Sequence, residues 1–217
     1  MLEPSPQLPS ALPAGPALAE IAAPGRVIEL SGRGAVARTT TAALLLLDAQ
    51  REGETTAWIQ PKGGALFPPD LAAAGVDLDA LVVAHVPAER GAQELLRAAE
   101  HLLRAGAFGL VVVDLGGLRL PRGGAWQARL TALARHHQSR LVLLTDTPAH
   151  EGSLGPLIGL RIDPRRRRDA GLLVVDPHVL KNKSGRPCDP RPEFRRPPAG
   201  LRLGAAASAR PSAAARS

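Results

Sequence analysis

The stretch SGRGAVARTT, Ser31 to Thr40, decides how the chain is read. It follows the hydrophobic run Val27-Ile28-Glu29-Leu30 and precedes Thr41-Ala42-Ala43-Leu44-Leu45-Leu46-Leu47. Strand, glycine loop, two threonines and helix, in that order, form the setting of a phosphate-binding loop, G-x-x-x-x-G-K-[ST]. Gly32 and Thr39 fit the pattern, whereas Ala37 stands at the second glycine and Arg38 at the lysine. A working loop cradles phosphates with backbone N–H groups and neutralises them with the lysine. It holds Mg²⁺ through the Ser/Thr hydroxyl and an acid that closes a later apolar strand. Thr39 can supply that hydroxyl, with Thr40 beside it, and Asp114, closing GLVVVD, can supply the acid. Gly32 and Gly34 lend the backbone its freedom. Ala37 removes such freedom, and the planar fork of Arg38 is not a conservative replacement for an ammonium. The candidate nucleotide set is therefore Gly32, Gly34, Arg38, Thr39, Thr40 and Asp114, in degenerate form. ATP and Mg²⁺ are not expected to be required, no residue is assigned a catalytic role, and efficient hydrolysis is not expected.

Outward from the loop, strand and helix patterns alternate. Strands are predicted at 26–31, 55–60, 80–84, 109–114, 140–145, 158–163, 171–176 and 178–181, the last ones close enough to form a meander. Helices are predicted at 39–52, 91–105 and 126–138. In the second of these, Leu95, Leu96, Ala99, Leu102 and Leu103 make one apolar face. Alternation of this kind implies βαβ crossovers and a mainly parallel sheet flanked by helices, and the late strands imply an antiparallel extension. The wholly apolar GLVVVD and RLVLLT suit the buried middle of the sheet.

The composition suits one α/β domain with tails: 217 residues, 45% hydrophobic. One cysteine, Cys188, excludes an internal disulfide framework, and it has no base near it in sequence. The six histidines form no metal pattern. The start of the chain, with Glu3 and several prolines, does not read as a signal peptide, and no apolar run is long enough to cross a bilayer. The expected location is the cytoplasm, with no membrane partner. The net charge is +7, and its excess is concentrated beyond residue 185. Such a basic tail, with Arg195 and Arg196 in RPEFRRPP, can meet DNA or an acidic protein. Arg165, Arg166, Arg167 and Arg168 read as a charged loop between two strands, able to contact phosphates or an acidic partner. With aromatics at 2%, base stacking has few candidates, chiefly Phe194 and Trp126, so DNA binding would be electrostatic and steeply salt-dependent. Only three of the 27 basic residues are lysines, and two of them, Lys181 and Lys183, share one tripeptide.

Four segments in order resemble the core of the RecA recombinases. They are PGRVIELSGRGAVARTTTAALLLLDAQ, LAAAGVDLDALVVAHVP, LRAGAFGLVVVDLGGLRLP, and RIDPRRRRD with VLKNKSGRP. The resemblance implies a RecA-like α/β fold over residues 26–187, with a Pro/Ala-rich arm at 1–25 and a basic, flexible tail at 188–217. Departures accompany it. Gly63 occupies the place of the acid that positions the attacking water in RecA, and Thr145-Asp146 stand where RecA senses the γ-phosphate. The second DNA-binding loop is short, and the filament-forming N-terminal helix and the C-terminal domain have no counterpart. A truncated core of this kind resembles the ImuA family of SOS mutagenesis proteins. That resemblance implies a non-hydrolysing or weakly nucleotide-binding accessory role in translesion synthesis. The implied partners are RecA and a polymerase-related ImuB-like protein and, indirectly, an error-prone replicative-type polymerase. Lys181 and Lys183 match RecA lysines that reach a neighbouring subunit, and could dock on a RecA protomer. A weak DNA-stimulated ATPase is one alternative. A division inhibitor similar to SulA, acting on FtsZ, is another.

Overall fold

In a computed structural model, residue 8 and residues 14–34, 36–64, 66–121, 124–185 and 188–195 are described. The strands are β1 (Val27–Ser31), β2 (Thr56–Pro61), β3 (Leu81–Val86), β4 (Leu110–Gly116), β5 (Arg140–Thr145), β6 (Leu160–Asp169), β7 (Leu172–Asn182) and β8 (Glu193–Arg195). They form one sheet in the order β3-β2-β4-β5-β1-β6-β7-β8. From β3 to β6 every pair is parallel, and β6, β7 and β8 add an antiparallel extension. The expected fold class is the observed one.

The central strands β1, β4 and β5 are buried along almost their whole length because helices cover both faces. Alternate residues serve the two faces. Ile28, Leu30, Trp58, Leu110, Val112, Val142 and Leu144 join the core under α2 (Arg38–Arg51). Val27, Ala57, Ile59, Val111, Val113, Leu141 and Leu143 join the core under α4 (Gly91–Ala105) and α5 (Ala125–His136). The α4 helix ends at Gly106, whose left-handed φ of 67° lets its N–H reach back to the Leu103 carbonyl. Two short helices, α1 (Leu18–Ile21) and α3 (Pro68–Ala73), complete the α2 side.

The structure departs from the sequence reading in the late strands and at both boundaries. The strands expected at 171–176 and 178–181 are one strand, β7, with Pro177 opposite Pro164 of β6. Arg165–Arg168 is not a loop: the four arginines lie on β6, opposite Asp176 to Leu173, and the turn is only Ala170-Gly171, both at positive φ. Two left-handed residues match the twist of a two-residue hairpin. The expected loose arm holds α1, whose Leu18 and Ile21 are buried in the core. The expected flexible tail contributes β8 as a strand on β7, and the Arg191 amide donates to the Pro16 carbonyl at 3.0 Å. Arg196 lies outside the described residues.

Candidate functional site

The phosphate-loop segment sits at the C-terminal end of β1, between the ends of β5 and β6. This is a switch point in a parallel sheet, since β1 leads to β2 across β5 and β4 while β6 extends the other way. Gly32 (φ 145°) and Gly34 (φ 80°) take conformations that favour glycine. At Gly32 a Cβ would also lie 3.0 Å from Val36 Cγ1 and 3.2 Å from Asp163 Oδ1. Gly34 faces open space.

Much of the loop's bonding capacity is directed into the protein. The Ala37 N–H donates to the Pro164 carbonyl at 2.8 Å, the Val36 N–H to Gly34 at 2.9 Å and the Gly32 N–H to Thr145 at 3.3 Å. Ala37 is itself buried, and Thr41 Oγ1 donates back to its carbonyl at 2.7 Å. Thr39 is exposed and Thr40 half-buried, so the hydroxyl expected to face a metal is accessible. Arg38 is turned onto Asp146, to which its Nη1 donates. Asp114 stands on β4 at a break in register with β5, where Leu115 is extra, and its Oδ1 accepts the Gly116 N–H at 3.2 Å. Burial pushes the Asp114 carboxyl above its ordinary value. Arg38 and the Gly116 N–H oppose that rise, and the Asp146 charge adds to it. The end of β2 continues into Lys62 and Gly63 with no carboxylate, and Gly63 faces open space.

The arrangement departs from that of a working Mg²⁺-ATP loop. A loop N–H is spent on Pro164, the loop's cation is spent on Asp146, and Asp163 puts a carboxylate beside Gly32. Asp163 in turn pairs with Arg165 at 3.1 Å.

A second, unforeseen network lies beside the loop. Glu29 of β1 and Arg161 of β6 are both buried. Glu29 accepts from Thr145 Oγ1 at 3.2 Å and from the Leu154 N–H at 3.0 Å. Arg161 donates to Ser31 Oγ at 2.9 Å, to the Pro148 carbonyl at 2.8 Å and to the Glu151 carbonyl. Lys181 Nζ donates to Ser153 Oγ and the Gly155 carbonyl, both at 2.9 Å, and Lys183 Nζ to the Pro156 carbonyl. Gln127 of α5 adds a bond to the Leu154 carbonyl at 2.7 Å. Segment 147–156 is thus pinned by side chains from β1, β6, β7 and α5. The two lysines singled out in sequence serve this segment, and Asn182 between them accepts from Arg26 at 2.8 Å. A charged residue inside an otherwise apolar strand, as in VIELS and LRID, is the signal that could have revealed Glu29 and Arg161.

The remaining candidates lie on β6 and β8. Arg165 pairs with Asp163 at 3.1 Å and Arg167 with Asp169 at 2.8 Å, while Arg166 and Arg168 are exposed on the same strand. Arg195 is half-buried on β8. Among the described residues no cluster of His, Cys, Asp and Glu is arranged to hold a metal ion, and no helix is long and apolar enough to cross a membrane.

Comparison with known proteins places this architecture. The RecA N-terminal domain profile matches residues 13–141. The RecA protein of Clostridium acetobutylicum is 38% identical over 98 residues, 45% of this chain and 27% of that protein. The RecA protein of Salinispora tropica is 32% identical over 138 residues, 62% of this chain and 38% of that protein. That of Lactobacillus delbrueckii subsp. bulgaricus is 30% identical over 135 residues, 58% and 40%. The chain spans between about a quarter and two fifths of the length of these curated relatives.

Proposed function

The chain belongs to the RecA N-terminal domain family, and we propose that it is an accessory protein of DNA-damage tolerance that binds RecA without running an ATP cycle of its own. The finer reading is an ImuA-like role in SOS mutagenesis, with a polymerase-related, ImuB-like protein as second partner. The observation that carries the proposal is the inward bonding of the phosphate loop, with the Ala37 N–H held by Pro164. A motor needs loop donors free for phosphates and a group that positions the attacking water. Here Gly63 brings no side chain to the end of β2. What persists is the RecA-like scaffold, and a fold by itself does not require the motor's chemistry.

The test is titration of the purified chain into RecA assembled on single-stranded DNA with ATP, reading complex formation and filament length. The proposal expects saturable binding that alters the filament. A folded chain that leaves RecA unbound overturns it. Binding to FtsZ without binding to RecA would favour the division-inhibitor alternative.

A second reading, a weak DNA-stimulated ATPase, draws support from the exposed Thr39 and from Asp114 at the end of β4. Turnover that Asp114→Ala abolishes would favour it.

A further inference from the structure

Arg38 opens α2, and Asp146 follows β5, 108 residues later. Their side chains meet across the mouth of the site, with the Arg38 side chain 20% exposed and that of Asp146 39%. Asp146 is fixed through its backbone, because its N–H donates to the Gly116 carbonyl at 3.0 Å. The Gly116 N–H in turn donates to Asp114. The Arg38 charge also opposes the burial-driven rise of the Asp114 carboxyl on the neighbouring strand β4. Asp146 also lines a cleft of about 220 Å³ with Arg33, Gly117, Thr145 and Glu151.

The position occupied by Arg38 is the one from which a phosphate loop presents its cation to a ligand. A lysine there is a point charge on a flexible stem, whereas arginine offers a fork of donors that matches a carboxylate. We infer that Arg38 is an internal counter-ion: its pair with Asp146 latches the phosphate loop to the end of β5 and withholds from phosphates the cation they would need. The inference rests on the reading that the chain runs no ATP cycle, and deepens it by naming the pair that closes the site. It also gives Arg38 a role that a general bias toward arginine does not supply. The latch is reversible in principle, because neutralising Asp146 releases the guanidinium without altering the loop's backbone.

The test is a titration of fluorescent mant-ATP with Mg²⁺ against the whole chain and two variants, each first checked for an unchanged circular dichroism spectrum. Asp146→Asn frees Arg38. Glu151→Gln removes a carboxylate from the same cleft without touching Arg38, and so measures the general effect of one less negative charge. The latch predicts that Asp146→Asn binds about two- to fivefold tighter than the wild type, the change expected from releasing a partly exposed ion pair. Glu151→Gln should stay at the wild-type level. Asp146→Asn binding no tighter than the wild type, or Glu151→Gln matching it, would overturn the inference. Hydrogen exchange supplies a second measurement. Arg38→Ala should speed exchange at both Thr41 and Asp146, whose N–H groups bond to the Ala37 and Gly116 carbonyls on the two sides of the latch, and unchanged rates at both would also overturn it. The RecA titration does not enter either result, so the latch and the accessory role can fail separately.

Discussion

Glu29 on β1 and Arg161 on β6 form an ion pair inside the sheet, with Arg161 Nε 3.5 Å from Glu29 Oε1 and side-chain exposures of 0% and 3%. Neither charge reaches water, and each is completed by further bonds to Ser31, Thr145 and the 147–156 segment. Such a pair contributes little net stability, but removing one member strands the other. Arg161→Met should therefore cost about 3–5 kcal/mol, and Arg161→Met with Glu29→Leu should recover much of that loss. Urea denaturation of both variants checks this. A single variant as stable as the wild type would show that the pair is not the anchor of this segment.

The carboxyls of Glu29 and Asp114 are both pushed up, in each case chiefly by burial. A carboxyl raised in the folded state binds its proton more tightly there than when unfolded. Stability is therefore lost as pH rises through the folded value. Asp114→Asn removes one such group while keeping an oxygen for the Gly116 N–H. The variant should gain on the wild type as pH rises from the ordinary carboxylate range through the raised folded value of Asp114. Melting temperatures across that range check the sign, and a gain that shrinks with rising pH would contradict it.

Lys181 holds Ser153 and Gly155 from β7. Lys181→Ala should speed amide exchange at Leu154, whose N–H bonds to Glu29, by roughly tenfold, which corresponds to about 1.4 kcal/mol of local opening. Lys183, exposed and bonded to the Pro156 carbonyl, is the member better placed to meet a partner. Lys183→Glu should weaken RecA binding while leaving exchange at Leu154 unchanged, and unaltered RecA affinity would remove this face from the interface.

Gly32→Ala should destabilise the chain by about 1–3 kcal/mol, because the residue combines a positive φ with a crowded site beside Val36 and Asp163. Gly34→Ala meets the same conformational strain in open space and should cost less. Thermal denaturation of the two variants ranks them.

Elements defined by local pattern were legible in the sequence. The α4 helix runs from Gly91 to Ala105, as its apolar face and bracketing glycines indicate, and RLVLLT is β5. The loop follows β1 and its threonines open α2, as the pattern implies, and Asp114 lies near the end of β4. What escaped depends on contacts between distant segments. The outer half of β6 carries four exposed arginines and no apolar alternation, so only its pairing with β7 marks it as a strand. Helix α1 is four residues long and holds its place through burial of Leu18 and Ile21. The pairs Arg38–Asp146 and Glu29–Arg161 join residues more than a hundred positions apart, and no local spacing encodes them.

The central claim is that this RecA-family core binds without an ATP cycle of its own, and phosphate release tests it most directly. The purified chain with Mg²⁺-ATP should release no phosphate above background, with or without single-stranded DNA, and should add nothing to the turnover of RecA beyond its effect on the filament. Steady release by the chain alone, stimulated by single-stranded DNA and lost in Asp114→Ala, would contradict the account.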